Sequence, residues 1–248
     1  KTLKQIDQFS EDDSIRGVLI RINSPGGAVA PSQEIFEALK KLNTKKPVFA
    51  SMNSLAASGG YYVALAARKI FANPGTITGS IGVIMQFADL SKLFQWAKVN
   101  PYNIKTGRFK DVGSPNREMS FDEKQLMQAM IDNVLEQFRK AVATSRNLPM
   151  EKIIELSDGR IFSGEQAKAV KLVDELGTFS DAVESLGKEA KIKGKPKLVY
   201  FSKKKKLMER IMGDDEDEED YESSSDADGS SSQFRWLSRL INAFSGLA

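Results

Sequence analysis

Ser58 lies in the run Leu55-Ala56-Ala57-Ser58-Gly59-Gly60-Tyr61-Tyr62, a setting that suits a nucleophile. The apolar residues 47–50 before it read as a strand, and residues 61–68 after it read as a helix. A hydroxyl at such a junction sits near the unpaired N–H groups of a helix start, which favour developing negative charge. Ala57, Gly59 and Gly60 leave room for another stretch of backbone to come close. A serine that merely caps the helix would look the same. The chain contains no His and no Cys. That excludes a Ser-His-Asp triad, a thiol nucleophile, the usual zinc sites and any disulfide frame. A serine nucleophile here needs a lysine or a carboxylate as its base.

The elements that must position Ser58 are legible on both sides of it. Leu3, Ile6 and Phe9 give residues 2–9 the spacing of a short amphipathic helix. Residues 17–22 are almost continuously apolar, as buried parallel strands are. Asn23-Ser24-Pro25-Gly26-Gly27 ends that strand in a tight loop. A helix is expected over 32–42, with Ile35, Phe36, Leu39 and Leu42 on one face, and a second strand over 47–52. This β-α-β-α order implies a parallel sheet with helices on its faces. Further strands are expected at 69–72, 78–85, 102–105 and 197–201, with a helix over 90–97. Residues 120–146 read as a long helix opened by the capping box Ser120–Glu123. Its stripe Leu126, Met130, Val134, Phe138 and Val142 would bury one side. Helices follow at 150–156, from a Ser163 cap, and at 179–190, with a turn at 173–177.

Composition bounds the rest. Hydrophobic residues at 41% and charged residues at 28% are those of a globular chain, and a net charge of +3 is too small to argue for nucleic acid. No apolar run reaches the roughly 18 residues needed to span a membrane. The chain begins at Lys1 rather than Met, which reads as a piece with sequence missing before it. The pattern changes at residue 202. Four lysines at 203–206, an acidic run at 214–220 and a serine-rich run at 223–232 make residues 202–233 an expected disordered tether. Residues 234–248 place Phe234, Trp236, Leu237, Leu240, Ile241, Phe244 and Leu247 on one helical face, opposite Arg235 and Arg239. Such a basic amphipathic helix suits a membrane surface, a partner groove or the protein's own domain.

Six stretches, in order, resemble the signal peptide peptidase A family of bacterial serine proteases: residues 23–27, 56–62, 78–83 (Thr78-Gly79-Ser80-Ile81-Gly82-Val83), 106–111 (Thr106-Gly107-Arg108-Phe109-Lys110-Asp111), 159–167 and 172–177. The resemblance covers about residues 1–190, within a peptidase domain expected at 1–201. It implies a crotonase/ClpP-like α/β fold of repeated ββα units, with a largely parallel sheet and flanking helices. It implies Ser58 as nucleophile, Lys110 as general base, Ser80 as the group that orients Lys110, and the N–H groups of Gly27 and Gly59 as an oxyanion hole. This agrees with the absence of histidine, and it calls for no cofactor and no metal. A lysine base must be neutral, so the site must disfavour its charge by burial or nearby cations, with Phe109 and Arg108 as candidates.

The resemblance further implies that hydrophobic peptides, remnant signal peptides among them, are the substrates. Family members are bacterial, membrane-associated and extracytoplasmic, and they form homo-oligomers in which short members borrow site residues from neighbouring subunits. The family also has a strand, and usually a membrane anchor, ahead of the position of Lys1. The acidic and serine-rich segment at 214–232 is not part of its pattern. Two rivals remain at this point. One is a crotonase-like acyl-CoA enzyme, which would place a carboxylate at the site. The other is a non-catalytic scaffold that binds hydrophobic peptides in the same groove.

Overall fold

A computed structural model describes residues 2–200. In order the elements are α1 (Thr2–Glu11), β1 (Val18–Ser24), α2 (Val29–Lys45), β2 (Val48–Ala57), α3 (Gly59–Ala64), β3 (Lys69–Ala72) and β4 (Ile77–Gly79). Then come α4 (Ser91–Trp96), α5 (Phe121–Arg146), α6 (Met150–Leu156), β5 (Ile161–Ser163), α7 (Gly164–Ala169), β6 (Glu175–Leu176) and α8 (Phe179–Glu189).

The ten-residue strand β2 is the axis of the sheet. β1 pairs with it in parallel, from Val18↔Val48 to Ser24↔Ala56. β3 pairs with Phe49–Met52 and β4 with Leu55–Ala57, both in parallel. Phe49 and Ala56 each have β1 on one edge, so β3 and β4 lie end to end along the other. The turn between them is fastened to β2, because Thr76 Oγ1 donates to the Asn53 carbonyl at 2.6 Å. β6 adds in parallel to β3, and β5 adds antiparallel to β4. The sheet is therefore largely parallel, as expected.

Alternation along β2 divides the core between two faces. Val48, Ala50 and Met52 join the larger cluster, with Phe36, Leu39 and Leu42 of α2, Tyr61 of α3 and Phe138 and Val142 of α5. Phe49 faces the other way and packs with Phe71 and with Ala182 and Leu186 of α8. Burial on both faces accounts for the unbroken apolar run in the sequence. α5, α7 and α8 each open with a complete capping box, Ser120/Glu123, Ser163/Gln166 and Thr178/Asp181. Each such cap contributes about 1 kcal/mol.

Several local expectations change. β2 runs on to Ala57, so strand leads directly into Ser58. The strand expected over 78–85 ends at Gly79, and residues 102–105 and 197–200 are irregular. Both stretches are solvent-exposed, and among the described residues no strand pairs with either of them. The turn at 173–177 contains the short strand β6. Only the C-terminal half of the α5 stripe is buried. Phe138 and Val142 are in the core, whereas Leu126 and Met130 are exposed, because that half of the helix has no element packed over it among the described residues. Among the described residues no helix is long and apolar enough to cross a membrane. The expected tether and terminal helix lie outside the described residues.

Candidate active site

Ser58 occupies the N-cap position of α3 but does not act as a cap. Its side chain makes no capping hydrogen bond, and its backbone sits at φ 51°, ψ −120°. An L-residue at positive φ is strained, and such strain collects where geometry serves function. Two bonds hold the bend: the Ser58 N–H donates to the Gly79 carbonyl, and its own carbonyl accepts from the Tyr62 N–H, both at 2.9 Å. Among the described residues the Ser58 Oγ has no hydrogen-bond partner. The chain turns sharply from strand to helix and leaves the hydroxyl free.

The loop after β1 comes against this bend. A Cβ on Gly26, whose φ is +110°, would lie 2.8 Å from the Ser58 Cβ and 2.9 Å from the Gly59 nitrogen. A Cβ on Gly59 would lie 2.6 Å from Ser32 Oγ and 3.3 Å from the Gly27 nitrogen. Only glycines allow the two loops to meet so closely. A Cβ on Gly27, by contrast, would meet nothing within 4 Å. Among the described residues neither the Gly27 N–H nor the Gly59 N–H has an acceptor. Gly27, Ser58 and Gly59 line one cavity of about 120 Å³. Its apolar wall includes Val29, Tyr62, Val83, Ile84, Val134 and Phe138. A free hydroxyl, two free N–H donors and an apolar wall can bind an acyl group and take up its negative oxygen.

Ser80 follows β4 as Ser58 follows β2. Ala57 and Gly79 are register partners, so the two serines leave neighbouring strands at the same level. Ser80 also has φ 51°, and its N–H donates to the Arg160 carbonyl at 2.9 Å. Lys110 is elsewhere. It is exposed on a turn closed by its N–H to the Gly107 carbonyl, and it lines a surface hollow with Lys105 and Asp111. Among the described residues none lines both this hollow and the Ser58 cavity. The structure thus brings Ser58, Gly27 and Gly59 together, with Ser80 on the adjacent strand, and does not bring Lys110 to them within one chain.

The base of the Lys110 loop is strongly charged. Arg117 and Lys105 hydrogen-bond to Asp111 and hold its carboxyl far below the usual carboxylate range. Arg117, followed by the Ser120 N–H, holds Glu123 down to about 2. Arg108 pairs with Asp122 and stacks over Phe109.

Sequence reasoning missed several cavity residues. Val134 and Phe138 belong to a periodic stripe that reads as core, and Ser32 reads as a helix start. The helix begins at Val29 instead, so Ser32 falls in its first turn, and Ser32 Oγ donates to the Ala28 carbonyl. Gln33 also lines the cavity and donates from Nε2 to Gln137 Oε1 at 2.9 Å.

Residues 40–193 match the model of peptidase family S49, and residues 1–77 match that of Clp protease. A Synechocystis sp. protein provisionally named a protease is 43% identical over 216 residues, covering 87% of this chain and 76% of its own. An Enterococcus faecium protein provisionally named signal peptide peptidase SppA is 38% identical, covering 77% and 56%. A chloroplastic serine protease, SPPA, of Arabidopsis thaliana is 35% identical, covering 77% and 28%. This chain therefore spans little more than half of the second relative and about a quarter of the third.

Proposed function

The chain belongs to peptidase family S49, and from that premise we propose that it is a serine endopeptidase with Ser58 as nucleophile and Lys110 as base. The observation that carries the reading is the free Ser58 hydroxyl, held at positive φ between two glycine N–H groups without acceptors. The neutral amine of Lys110 takes the Ser58 proton as Oγ attacks the peptide carbonyl. The C=O electrons move onto oxygen, which accepts from the Gly27 and Gly59 N–H groups. As the C–N bond breaks, the Lys110 ammonium returns the proton to the leaving amine. Water, deprotonated by Lys110, then attacks the Ser58 ester; as the C–Oγ bond breaks, the Lys110 ammonium returns the proton to Ser58 Oγ and the acid is freed. Ser80 would orient the amine.

Lys110 reaches Ser58 from a neighbouring copy of the chain in this reading. Its separation from the Ser58 cavity supports this, as do exposed apolar residues at both places: Tyr102 (83%) and Ile104 (95%) in the Lys110 hollow, and Ile84 (85%) at the Ser58 cavity. Surface of that kind calls for a partner. Substrates are hydrophobic peptide segments, including remnant signal peptides, in keeping with the apolar cavity wall. Placement at the outer face of a bacterial membrane rests on the family resemblance. Among the described residues no carboxylate lines the cavity, which disfavours an acyl-CoA hydratase or isomerase.

The test is intact mass after treatment with a serine-directed fluorophosphonate. One adduct on the wild-type chain, absent from both Ser58→Ala and Lys110→Ala, supports the dyad; an adduct that persists in Ser58→Ala overturns it. Mixing the two inactive variants restores labelling if the dyad is shared between copies, and leaves it absent if each copy is self-contained.

A further inference from the structure

Asp111 directly follows Lys110 in the chain and is engaged from two sides. Arg117 Nη2 donates to Asp111 Oδ1 at 2.8 Å, and Lys105 Nζ donates to the same oxygen at 2.5 Å. Arg117 is itself gripped by Glu123, through Nη2 to Oε1 at 2.6 Å and Nη1 to Oε2 at 2.8 Å. Glu123 is 3% exposed and is the fixed end of the α5 capping box, with Oε2 accepting from the Ser120 N–H at 2.8 Å. A buried carboxylate at a helix start thus holds an arginine, and that arginine holds the carboxylate next to Lys110.

The pairing around Lys110 is selective. Lys105 is bound to Asp111, Arg108 to Asp122, Arg117 to Asp111 and Glu123, and Lys124 to Glu118. Among the described residues Lys110 has no ion pair and its Nζ no hydrogen bond. The groups facing this turn are Lys105 and Tyr102 in the same hollow, Asp111 beside it and Arg108 on the turn itself. Asp111 is the nearest carboxylate in the chain and the one fully engaged by other cations. A lysine with a free carboxylate beside it is stabilised in its charged form, the wrong form for a base.

We infer that Arg117 is a positioning residue that keeps the Asp111 carboxylate away from Lys110, so that the amine stays unpaired and able to accept a proton. The inference rests on the proposed role of Lys110. In Arg117→Met, Asp111 turns to Lys110, and the amine keeps its proton to higher pH.

The experiment is the pH dependence of the fluorophosphonate labelling rate of the full chain, for wild type, Lys110→Ala, Arg117→Met and Arg117→Met/Asp111→Asn. Arg139→Met, which removes a bond from α5 to Ser157 at the end of α6, is the control for simple destabilisation. The expected result is that the rising limb for Arg117→Met moves up by about one pH unit, with labelling at neutral pH down roughly tenfold. The double variant moves the limb back, and Arg139→Met does not move it. A limb unmoved in Arg117→Met, or not restored by Asp111→Asn, overturns the inference while a silent Lys110→Ala leaves the dyad standing. Failure of the wild type to label, or a Lys110→Ala variant that labels like wild type, overturns the reading of Lys110 and the inference with it.

Discussion

Ser58 and Ser80 leave neighbouring parallel strands one residue beyond the register pair Ala57↔Gly79, and both do so at φ 51°. The first donates its N–H to Gly79, the residue before the second. Two strained serines at one level of one sheet are a costly arrangement for a fold that could place glycine at either position. Replacing Ser58 with Gly should stabilise the protein by about 1 kcal/mol and abolish phosphonate labelling, whereas Ser58→Ala abolishes labelling with little change in stability. Urea melts beside intact-mass labelling check this. A Ser58→Gly variant less stable than wild type by more than the ordinary glycine penalty would show that the bend is not strained.

Ser80→Ala keeps the backbone and removes one hydroxyl. Labelling should slow by roughly ten- to a hundredfold, the range expected when an orienting group is lost from a general base, while stability stays within about 0.5 kcal/mol. Wild-type labelling in Ser80→Ala would remove Ser80 from the proposed machinery.

The three glycines of the meeting loops should respond differently to alanine. Gly26→Ala carries a φ of +110° and a contact of 2.8 Å to Ser58, so it should lower stability by about 2–4 kcal/mol and stop labelling. Gly59→Ala meets Ser32 Oγ at 2.6 Å, a side chain that can turn away, so its loss should be smaller and partly relieved by Ser32→Ala. Gly27→Ala has open space, so its melting temperature should hold, and any loss of labelling reports crowding of the acyl site itself. Thermal melts of the three side by side would expose a wrong order.

Asp174 ties α5 to the sheet. It accepts from Arg146 Nη1 and Nη2 at 2.9 and 2.6 Å and from the Ile70 N–H at 2.7 Å. The Arg146 side chain is 7% exposed. Asp174→Ala leaves a buried cation and an amide unpaired and should cost about 3–5 kcal/mol. Arg146→Met/Asp174→Asn should recover much of that loss, a double-mutant comparison that denaturant titration resolves.

Glu123 has a carboxyl held down to about 2, first by Arg117 and then by the Ser120 N–H. Its folded value lies below its unfolded value of about 4.5, so the unfolded chain takes up the proton first. Its contribution to stability is therefore fully present above about pH 4.5 and disappears as pH falls toward 2. The difference in stability between wild type and Glu123→Gln should shrink steadily from pH 5 to pH 2.5. A constant gap over that range would mean that Glu123 is not held by its charge.

The parts of the fold visible in the sequence are those governed by local chemistry. Residues 17–22 and 47–52 are mostly apolar, broken only by Arg21 and Ser51, and they mark the paired strands β1 and β2; Ser120, Ser163 and the 179–190 stripe mark helices that the structure contains. What the sequence hid depends on distant neighbours. Ile161–Ser163 is a strand because β4 lies beside it, whereas no described strand pairs with residues 102–105, which are irregular. The α5 stripe shows the same limit, since periodicity marks a face but not how far along the helix a partner extends. At the site, the small residues around Ser58 pointed to close backbone approach, and Gly26 and Gly59 make it. The Lys110 loop could not be placed, because its location depends on Arg117 and Glu123, whose charges look like any others on a polar surface.

The helix that carries Ser58 is anchored by residues that come much later in the chain. Tyr61, wholly buried, donates its hydroxyl to the Leu172 carbonyl at 2.9 Å, and Ser80 is held by Arg160. During synthesis these anchors emerge roughly a hundred residues after the serine they support. Long-range contacts of this kind form late, because a large loop must close before they give any return. A growing chain therefore completes the bend at Ser58 only when most of the domain has been made. With Ser58 as the proposed nucleophile, that delay keeps the cutting centre unformed while the chain is still extended and open to attack by its own kind.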